Sequence, residues 1–121
     1  MHALVVDDEP DVRRYLARVL MKHGFSVAEA ADADAALETI RRSVNFDLAL
    51  VDLHLPGMDG NAFVRAVRKT GLNPSLKIMT VTGNPDTSQV KEALASGADE
   101  YLMKPLTESD LLAKLKILSL L

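Results

Sequence analysis

Carboxylate, hydroxyl and ammonium groups follow four short apolar segments of this chain. Asp7 and Asp8 come after residues 3–6, Asp52 ends residues 47–52, and Thr82 and Lys104 come directly after two later segments. Each segment has the length and apolar character of a strand that is buried in a parallel sheet. Because parallel strands end at one edge of a sheet, where open α/β folds bind ligands, we expect these five side chains to converge.

The chemistry of such a cluster follows from its charges. Three neighbouring carboxylates repel one another and raise each other's pKa values unless a cation lies among them. Oxygen ligands in a chain without cysteine favour a hard ion, most naturally Mg²⁺ with retained waters. An ammonium and a hydroxyl beside that ion would hold the oxygens of a phosphoryl group. The residues therefore predict a magnesium-dependent phosphoryl site around Asp52.

Each of these residues also has an ordinary interpretation when it is taken alone. Asp7 and Asp8 could stabilise the N-terminus of a following helix. Asp52 could form the turn that follows it, and Lys104 could be the solvated end of a strand. Thr82 alone indicates little. Their combination at one predicted sheet edge is what indicates a functional site.

Strand and helix patterns alternate along the chain. Strands are predicted over residues 3–6, 25–29, 47–52, 76–81 and 99–103. Helices are predicted to begin at Pro10, at Asp32 or Asp34, after the turn 56–60, at Asp86 or Thr87, and at the capping sequence 107–110. The last helix is expected to run to the C-terminus. This alternation favours an α/β fold with a doubly wound parallel sheet covered on both faces, although the pattern leaves the strand order open.

Helical spacing predicts inner faces that include Val44 in the second helix and Leu94 in the fourth. The last helix has more leucines than one inner face needs. Leu120 and Leu121 therefore indicate a second apolar surface, for binding in a groove or for self-association.

Length and composition limit the class of protein. The 121 residues predict one domain over 1–121 with no output domain, and 48% hydrophobic and 26% charged residues are typical of a globular chain. A net charge of −3 argues against a nucleic-acid surface. The sequence lacks an apolar run of membrane-spanning length and a signal-peptide pattern. We therefore expect a cytoplasmic protein with no membrane contact.

The motifs together resemble a known family. Asp7-Asp8, the segment Asp-Leu-His-Leu-Pro-Gly-Met-Asp-Gly over 52–60, Thr82-Gly83 and Lys104-Pro105 resemble the receiver domain of two-component response regulators, and the resemblance covers essentially the whole chain. It implies a flavodoxin-like fold of five strands in the order 2-1-3-4-5, as in the chemotaxis regulators, with five helices.

The resemblance also implies a function in phosphorelay signal transduction. Asp52 would accept a phosphoryl group from a phosphohistidine of a sensor histidine kinase or a histidine phosphotransfer protein. Asp8, Asp52 and the backbone carbonyl of His54 would ligate the cofactor Mg²⁺ directly, and Asp7 would contribute to this metal site partly through water. The domain would catalyse its own phosphorylation and dephosphorylation without turning over a separate substrate, so it would not be an enzyme in the usual sense.

Further roles are implied for residues after the phosphorylation site. Thr82 and Lys104 would hold the phosphoryl oxygens, and the Lys104–Pro105 peptide bond would be cis. Thr82 and Tyr101 would switch the face of helix four, strand five and helix five, which would bind a downstream protein or a second receiver. The His54 side chain could influence the attacking water or be an exposed loop histidine.

Three rival interpretations can be tested against the residues. An aspartyl-phosphate phosphatase would have a second carboxylate where His54 stands. A flavodoxin-like carrier of FMN would need a phosphate-binding loop where Asp7-Asp8-Glu9 would instead repel the cofactor. A receiver-like interaction module that is not phosphorylated would not require the complete set of site residues that this chain has.

Overall fold

Strands and helices alternate in the computed structural model, which describes residues 1–42, 45–83 and 87–121. The strands are β1 His2–Val6, β2 Ser26–Ala30, β3 Leu48–Asp52, β4 Lys77–Thr82 and β5 Glu100–Met103. The helices are α1 Pro10–Lys22, α2 Ala33–Arg42, α3 Gly60–Thr70, α4 Thr87–Ser96 and α5 Glu108–Ile117. The predicted positions of Val44 and Asp86 lie outside the described residues.

The five strands form one parallel sheet in the order β2-β1-β3-β4-β5. This confirms the doubly wound fold and the strand order that the resemblance implied. Asp52, the last residue of β3, is opposite Val81 of β4. All strands run in the same direction, so the residues that follow β1, β3, β4 and β5 lie at one edge of the sheet.

Two hydrophobic layers enclose the sheet, because alternate residues of each buried strand point to opposite faces. On one face, β1 contributes Ala3 and Val5 to a core formed with α1 and α5. On the other face it contributes Leu4 and Val6 to a core formed with α2, α3 and α4. Burial on both faces explains why β3 reads as an unbroken apolar run.

Side-chain caps fix where several helices begin. Asp32 Oδ1 accepts a hydrogen bond from Ala35 N at 2.8 Å, which makes Asp32 rather than Asp34 the cap of α2. The Thr107 hydroxyl oxygen accepts from Asp110 N at 3.1 Å at the start of α5, as the capping sequence predicted.

The C-terminal prediction was wrong for the end of α5 and for Leu120. α5 ends at Ile117 instead of reaching the C-terminus, because Ser119 has a left-handed φ of 61° and turns the chain back. Leu120 N then donates to Leu115 O at 2.9 Å, which is a Schellman-type ending. Leu120 therefore packs against the core instead of forming a second apolar surface. Leu121 is 49% exposed.

Leu94 was also assigned wrongly. Its side chain is 46% exposed, whereas Ala93 beside it is buried in the core. The inner face of α4 is thus made by small residues, and the larger leucine lies on the outer surface of this helix.

Candidate functional site

Two buried aspartates lie at the ends of adjacent strands, Asp7 directly after β1 and Asp52 as the last residue of β3, and have the same local geometry. Asp7 and Asp52 are 1% and 3% exposed. In each, Oδ1 accepts a hydrogen bond from the backbone N–H two residues later: Glu9 N to Asp7 at 2.9 Å and His54 N to Asp52 at 3.0 Å. These bonds fix both carboxylates and leave both Oδ2 atoms for other groups.

The acidic residues form one cluster. Carboxylate oxygens of Asp7, Asp8 and Asp52 lie within 4.8 Å of one another. Asp7 Oδ2 is buried, and within the described ranges no donor lies at hydrogen-bond distance from it. A buried oxygen without a donor in a set of three carboxylates fits a hard divalent cation, which takes oxygen ligands.

The protonation of Asp7 shows the electrostatic cost of this cluster. Burial raises the pKa of the Asp7 carboxyl, the hydrogen bond from Glu9 N opposes that rise, and the negative charge of Asp52 adds to it. The folded protein thus disfavours the ionised form of Asp7. A bound cation would reverse this preference, since it stabilises the carboxylate.

Lys104 brings positive charge to the same place. Its Nζ lies 3.4 Å from Asp52 Oδ2, 3.7 Å from Asp7 Oδ2 and 4.0 Å from Glu9 Oε1. Burial works to lower the pKa of Lys104, but the charges of Asp52 and Asp7 together outweigh it and raise that pKa above its ordinary value. The ammonium is therefore charged throughout the neutral range.

The ends of β4 and β5 are joined at this edge. Lys104 N donates to Thr82 O at 2.8 Å, and the peptide bond between Lys104 and Pro105 is cis. Thr82 is the last residue of β4 and is 1% exposed. It follows Val81, the residue opposite Asp52, so its backbone lies one residue beyond the aspartate on the neighbouring strand.

Gly60 allows helix α3 to begin directly against the end of β3. A Cβ atom at this position would collide with the backbone carbonyl oxygen of Asp52 and would lie 2.7 Å from Leu53 Cα. Gly60 N donates to Leu53 O at 3.1 Å. The turn that follows Asp52 is held in place by this close backbone approach.

Tyr101 lies farther from the cluster. Its position on β5 is opposite Thr80, two residues before Thr82, and its side chain is half-buried. Lys114 Nζ of α5 lies 4.3 Å from the centre of the tyrosine ring and 2.7 Å from Glu100 Oε1. The ring is therefore in contact with α5, by a cation–π interaction.

His54 is exposed, and its backbone N–H donates to Asp52. That contact places the residue beside the cluster. The roles implied for its carbonyl oxygen and its side chain stay predictions.

Two contributors were missed from the sequence. Arg13 Nη1 donates to the backbone oxygen of Asp7 at 2.8 Å, and Lys114 contacts Tyr101 as described. Arg13 follows the aspartates by about one helical turn, which is a weak signal. No spacing in the sequence predicts the contact of Lys114 with Tyr101, because it depends on how α5 packs against β5.

Comparison with known proteins identifies the family. Residues 3–116 match the model of the response regulator receiver domain. The chain belongs to this family. The receiver family is thereby confirmed over the phosphatase and the FMN carrier, whereas phosphorylation stays a prediction.

Response regulators are similar to this chain both in sequence and in structure. The DNA-binding response regulator MtrA of Mycolicibacterium smegmatis is 39% identical over 93% of this chain. The chemotaxis protein CheY4 of Vibrio cholerae has a TM-score of 0.91 at 31% identity, with 97% of each chain covered. A response regulator of Burkholderia pseudomallei, solved with a phosphorylated aspartic acid and a calcium ion, has a TM-score of 0.83 at 32% identity, over 93% of this chain and 64% of its own.

This chain spans about half of the length of MtrA, since 48% of that protein is covered. Along the described ranges, no helix is both long enough and apolar enough to cross a membrane. The expected cytoplasmic location stays a prediction.

Proposed function

We propose that this receiver domain accepts a phosphoryl group on Asp52 in a reaction that depends on Mg²⁺. The observation that supports this most strongly is the position of Asp52. It belongs to the carboxylate cluster with Asp7 and Asp8, and its Oδ2 also contacts the ammonium of Lys104. The Burkholderia pseudomallei relative, solved with a phosphorylated aspartic acid, supports the same assignment for the buried aspartate here.

The reaction requires a nucleophile and a leaving group. A carboxylate oxygen of Asp52 forms a bond to phosphorus, and the bond between phosphorus and a histidine nitrogen of the donor protein breaks. The electron pair of the broken bond stays on the imidazole, and the product is an acyl phosphate. A carboxylate is a weak nucleophile, so positioning and charge neutralisation supply most of the rate.

Asp7, Asp8 and Asp52 are the side chains that would hold Mg²⁺, with the backbone carbonyl of His54 as a further ligand. When bound, the ion neutralises negative charge on the carboxylates and on the incoming phosphoryl oxygens. The domain would catalyse its own phosphorylation and dephosphorylation, with no separate substrate.

Lys104 and Thr82 would bind the phosphoryl oxygens. Lys104 already contacts the Asp52 carboxylate, and it is joined to Thr82 by a backbone hydrogen bond. A shift of the Thr82 hydroxyl towards the phosphoryl group would thus occur beside β5, which contains Tyr101. This connection is the basis for the proposed switch.

The phosphodonor would be a sensor histidine kinase or a histidine phosphotransfer protein. Asp52 is almost fully buried, so the donor must dock closely against the edge of the sheet. A cleft of about 320 Å³ lies beside Lys104, and its apolar walls are formed by Val12 and Tyr15 of α1 and by Pro105 and Leu106. An apolar surface of the phosphodonor protein would bind in this cleft.

The output surface would be the face formed by α4, β5 and α5. A second cleft of about 340 Å³ on this face is lined by residues that include Tyr101, Met103 and Lys114. Leu94 and Met103 add exposed apolar area, at 46% and 47% exposure. A downstream protein or a second receiver domain would bind here when Tyr101 changes its position.

Intact-mass measurement with a small phosphodonor tests the proposal. The wild-type protein should gain one phosphoryl group in the presence of Mg²⁺ and none after chelation, whereas Asp52→Asn should gain none. Asp34→Asn is a matched control, because Asp34 is an exposed aspartate in the first turn of α2. It should be phosphorylated like the wild type.

A wild-type protein that gains no mass from any phosphodonor at saturating Mg²⁺ would contradict the proposal. The chain would then be a receiver domain that acts only by binding a partner.

A further inference from the structure

Arg13 is a half-buried cation beside the acidic cluster that the proposed phosphoryl transfer does not use. Its side chain is 16% exposed and makes two directed contacts. Nη1 donates to the backbone oxygen of Asp7 at 2.8 Å, and Nε donates to Glu29 Oε1 at 3.1 Å. Glu29 belongs to β2, so the guanidinium joins α1, the end of β1 and the edge strand.

The backbone around Asp7 is held at several points. Asp7 N donates to Ala30 O at 3.1 Å, and Asp7 Oδ1 accepts from Glu9 N. The carbonyl that Arg13 binds belongs to the peptide unit that joins Asp7 to Asp8. Because a peptide unit is planar, fixing its carbonyl also fixes the direction in which the chain enters Asp8.

From these contacts we propose that Arg13 is a positioning residue, which presets the Asp8 carboxylate for binding a divalent cation, with Glu29 orienting the guanidinium. The inference rests on the cation site of the proposed function. Residues that orient metal ligands in this indirect way typically change metal affinity by 10- to 100-fold when they are mutated.

The positive charge of Arg13 changes Mg²⁺ affinity in the direction opposite to its positioning effect. A guanidinium beside a cation site repels the cation, so loss of its charge alone would strengthen Mg²⁺ binding. If Arg13 acts by position, its removal weakens binding. The direction of the change therefore separates the two roles.

Calorimetric titration with Mg²⁺ of the folded, unphosphorylated protein tests this inference. We expect Arg13→Ala to weaken Mg²⁺ binding by about tenfold. Arg13→Lys, which keeps the charge and one donor for the Asp7 carbonyl, should restore part of the affinity. Arg14→Ala is the matched control, because Arg14 is an exposed neighbour on α1 and the charge change is the same. It should bind Mg²⁺ no more weakly than the wild type.

Circular dichroism melts identify the variants that are folded at the titration temperature. A purely structural role for Arg13 would lower the melting temperature and leave the affinity of the folded protein unchanged, which would overturn the inference. Affinity equal to or tighter than wild type in folded Arg13→Ala would do the same. If Arg13→Ala does not fold, Arg13→Met, which keeps the apolar stem but loses the charge and the donors, decides by the same criterion. A wild-type protein that binds no Mg²⁺ would instead overturn the proposed cation site itself.

Discussion

Lys104 Nζ lies 3.4 Å from Asp52 Oδ2, although 52 residues separate them in the chain and β4 lies between their strands. This pair forms only if β4, which follows Asp52 in the chain, and β5, which precedes Lys104, are both correctly placed in the sheet. The contact therefore depends on the whole C-terminal half of the sheet. It also places a permanent positive charge where a transferred phosphoryl group would carry negative charge.

Removal of this charge should slow phosphorylation of Asp52. We expect Lys104→Met to reduce the rate with a small phosphodonor by about 100-fold, because one preorganised cationic donor is lost. Lys104→Arg should retain more activity, since it keeps the charge but changes its geometry. The rate is measured by intact mass over time at saturating Mg²⁺. Equal rates for wild type and Lys104→Met would show that the ammonium plays no part in the transfer.

The acidic cluster should reduce stability when no metal is bound. Because its pKa is raised in the folded protein, Asp7 makes the stability fall as pH rises from its ordinary value of 3.8 through the raised pKa. Asp7→Asn keeps an acceptor for Glu9 N and removes the charge. In chelator at pH 7 it should raise the free energy of unfolding, because the buried charge that the fold disfavours is gone.

The pH and metal dependence provide the control for that stability change. The advantage of Asp7→Asn should vanish as pH falls towards 3.8, where wild-type Asp7 is also protonated. Mg²⁺ should stabilise the wild type more than the variant, because it binds the folded state. Urea unfolding with and without Mg²⁺ measures both effects. A less stable Asp7→Asn in chelator would show that the clustered carboxylates do not strain the fold.

Gly60 should be intolerant of even one added methyl group. Its missing Cβ leaves room for the backbone of Asp52 and Leu53, so Gly60→Ala should lower the free energy of unfolding by about 2 kcal/mol. Gly83→Ala is the comparison, because the nearest atom to a Cβ there is Lys104 Cβ at an ordinary 3.9 Å. Urea unfolding curves that show the same loss for both variants would refute the close-packing explanation.

The sequence predicted those features that depend on local pattern and on strand direction. Strand ends fix which side chains meet at the sheet edge, so the sequence alone predicts that Asp7, Asp52 and Lys104 lie together. Phe25 shows the limit of that reasoning, because it was predicted to begin the second strand, whereas β2 begins at Ser26. The N–H of Phe25 donates to Leu20 O in the turn after α1, and its side chain is buried in the core.

Features that depend on packing between elements could not be predicted in this way. The periodic leucines of α5 continue past Ile117, but the backbone turns at Ser119 and returns Leu120 to the core. Contacts of long cationic side chains, such as Lys114 with Tyr101, depend on how a helix packs against the sheet, which the spacing of residues in the sequence does not predict.

Tyr101 should change its environment when Asp52 is phosphorylated. The chain has two tyrosines, Tyr15 and Tyr101, so fluorotyrosine labelling gives two ¹⁹F resonances that Tyr15→Phe assigns. Since phosphorylation is expected to move the ring away from Lys114, the Tyr101 signal should shift more than the Tyr15 signal. Unmodified Asp52→Asn provides the baseline. If the Tyr101 resonance is identical before and after phosphorylation, Tyr101 is not part of a switch.

Chemical mapping of the phosphoryl group tests the central claim most directly. The protein is phosphorylated with Mg²⁺ and a small phosphodonor, and borohydride then reduces the acyl phosphate to an alcohol, which converts that aspartate to homoserine. Tandem mass spectrometry of the peptides should find homoserine at position 52, with Asp7, Asp8 and Asp59 unchanged. Homoserine at another position, or none in a protein that has gained phosphate, would contradict the assignment of Asp52 as the phosphoacceptor.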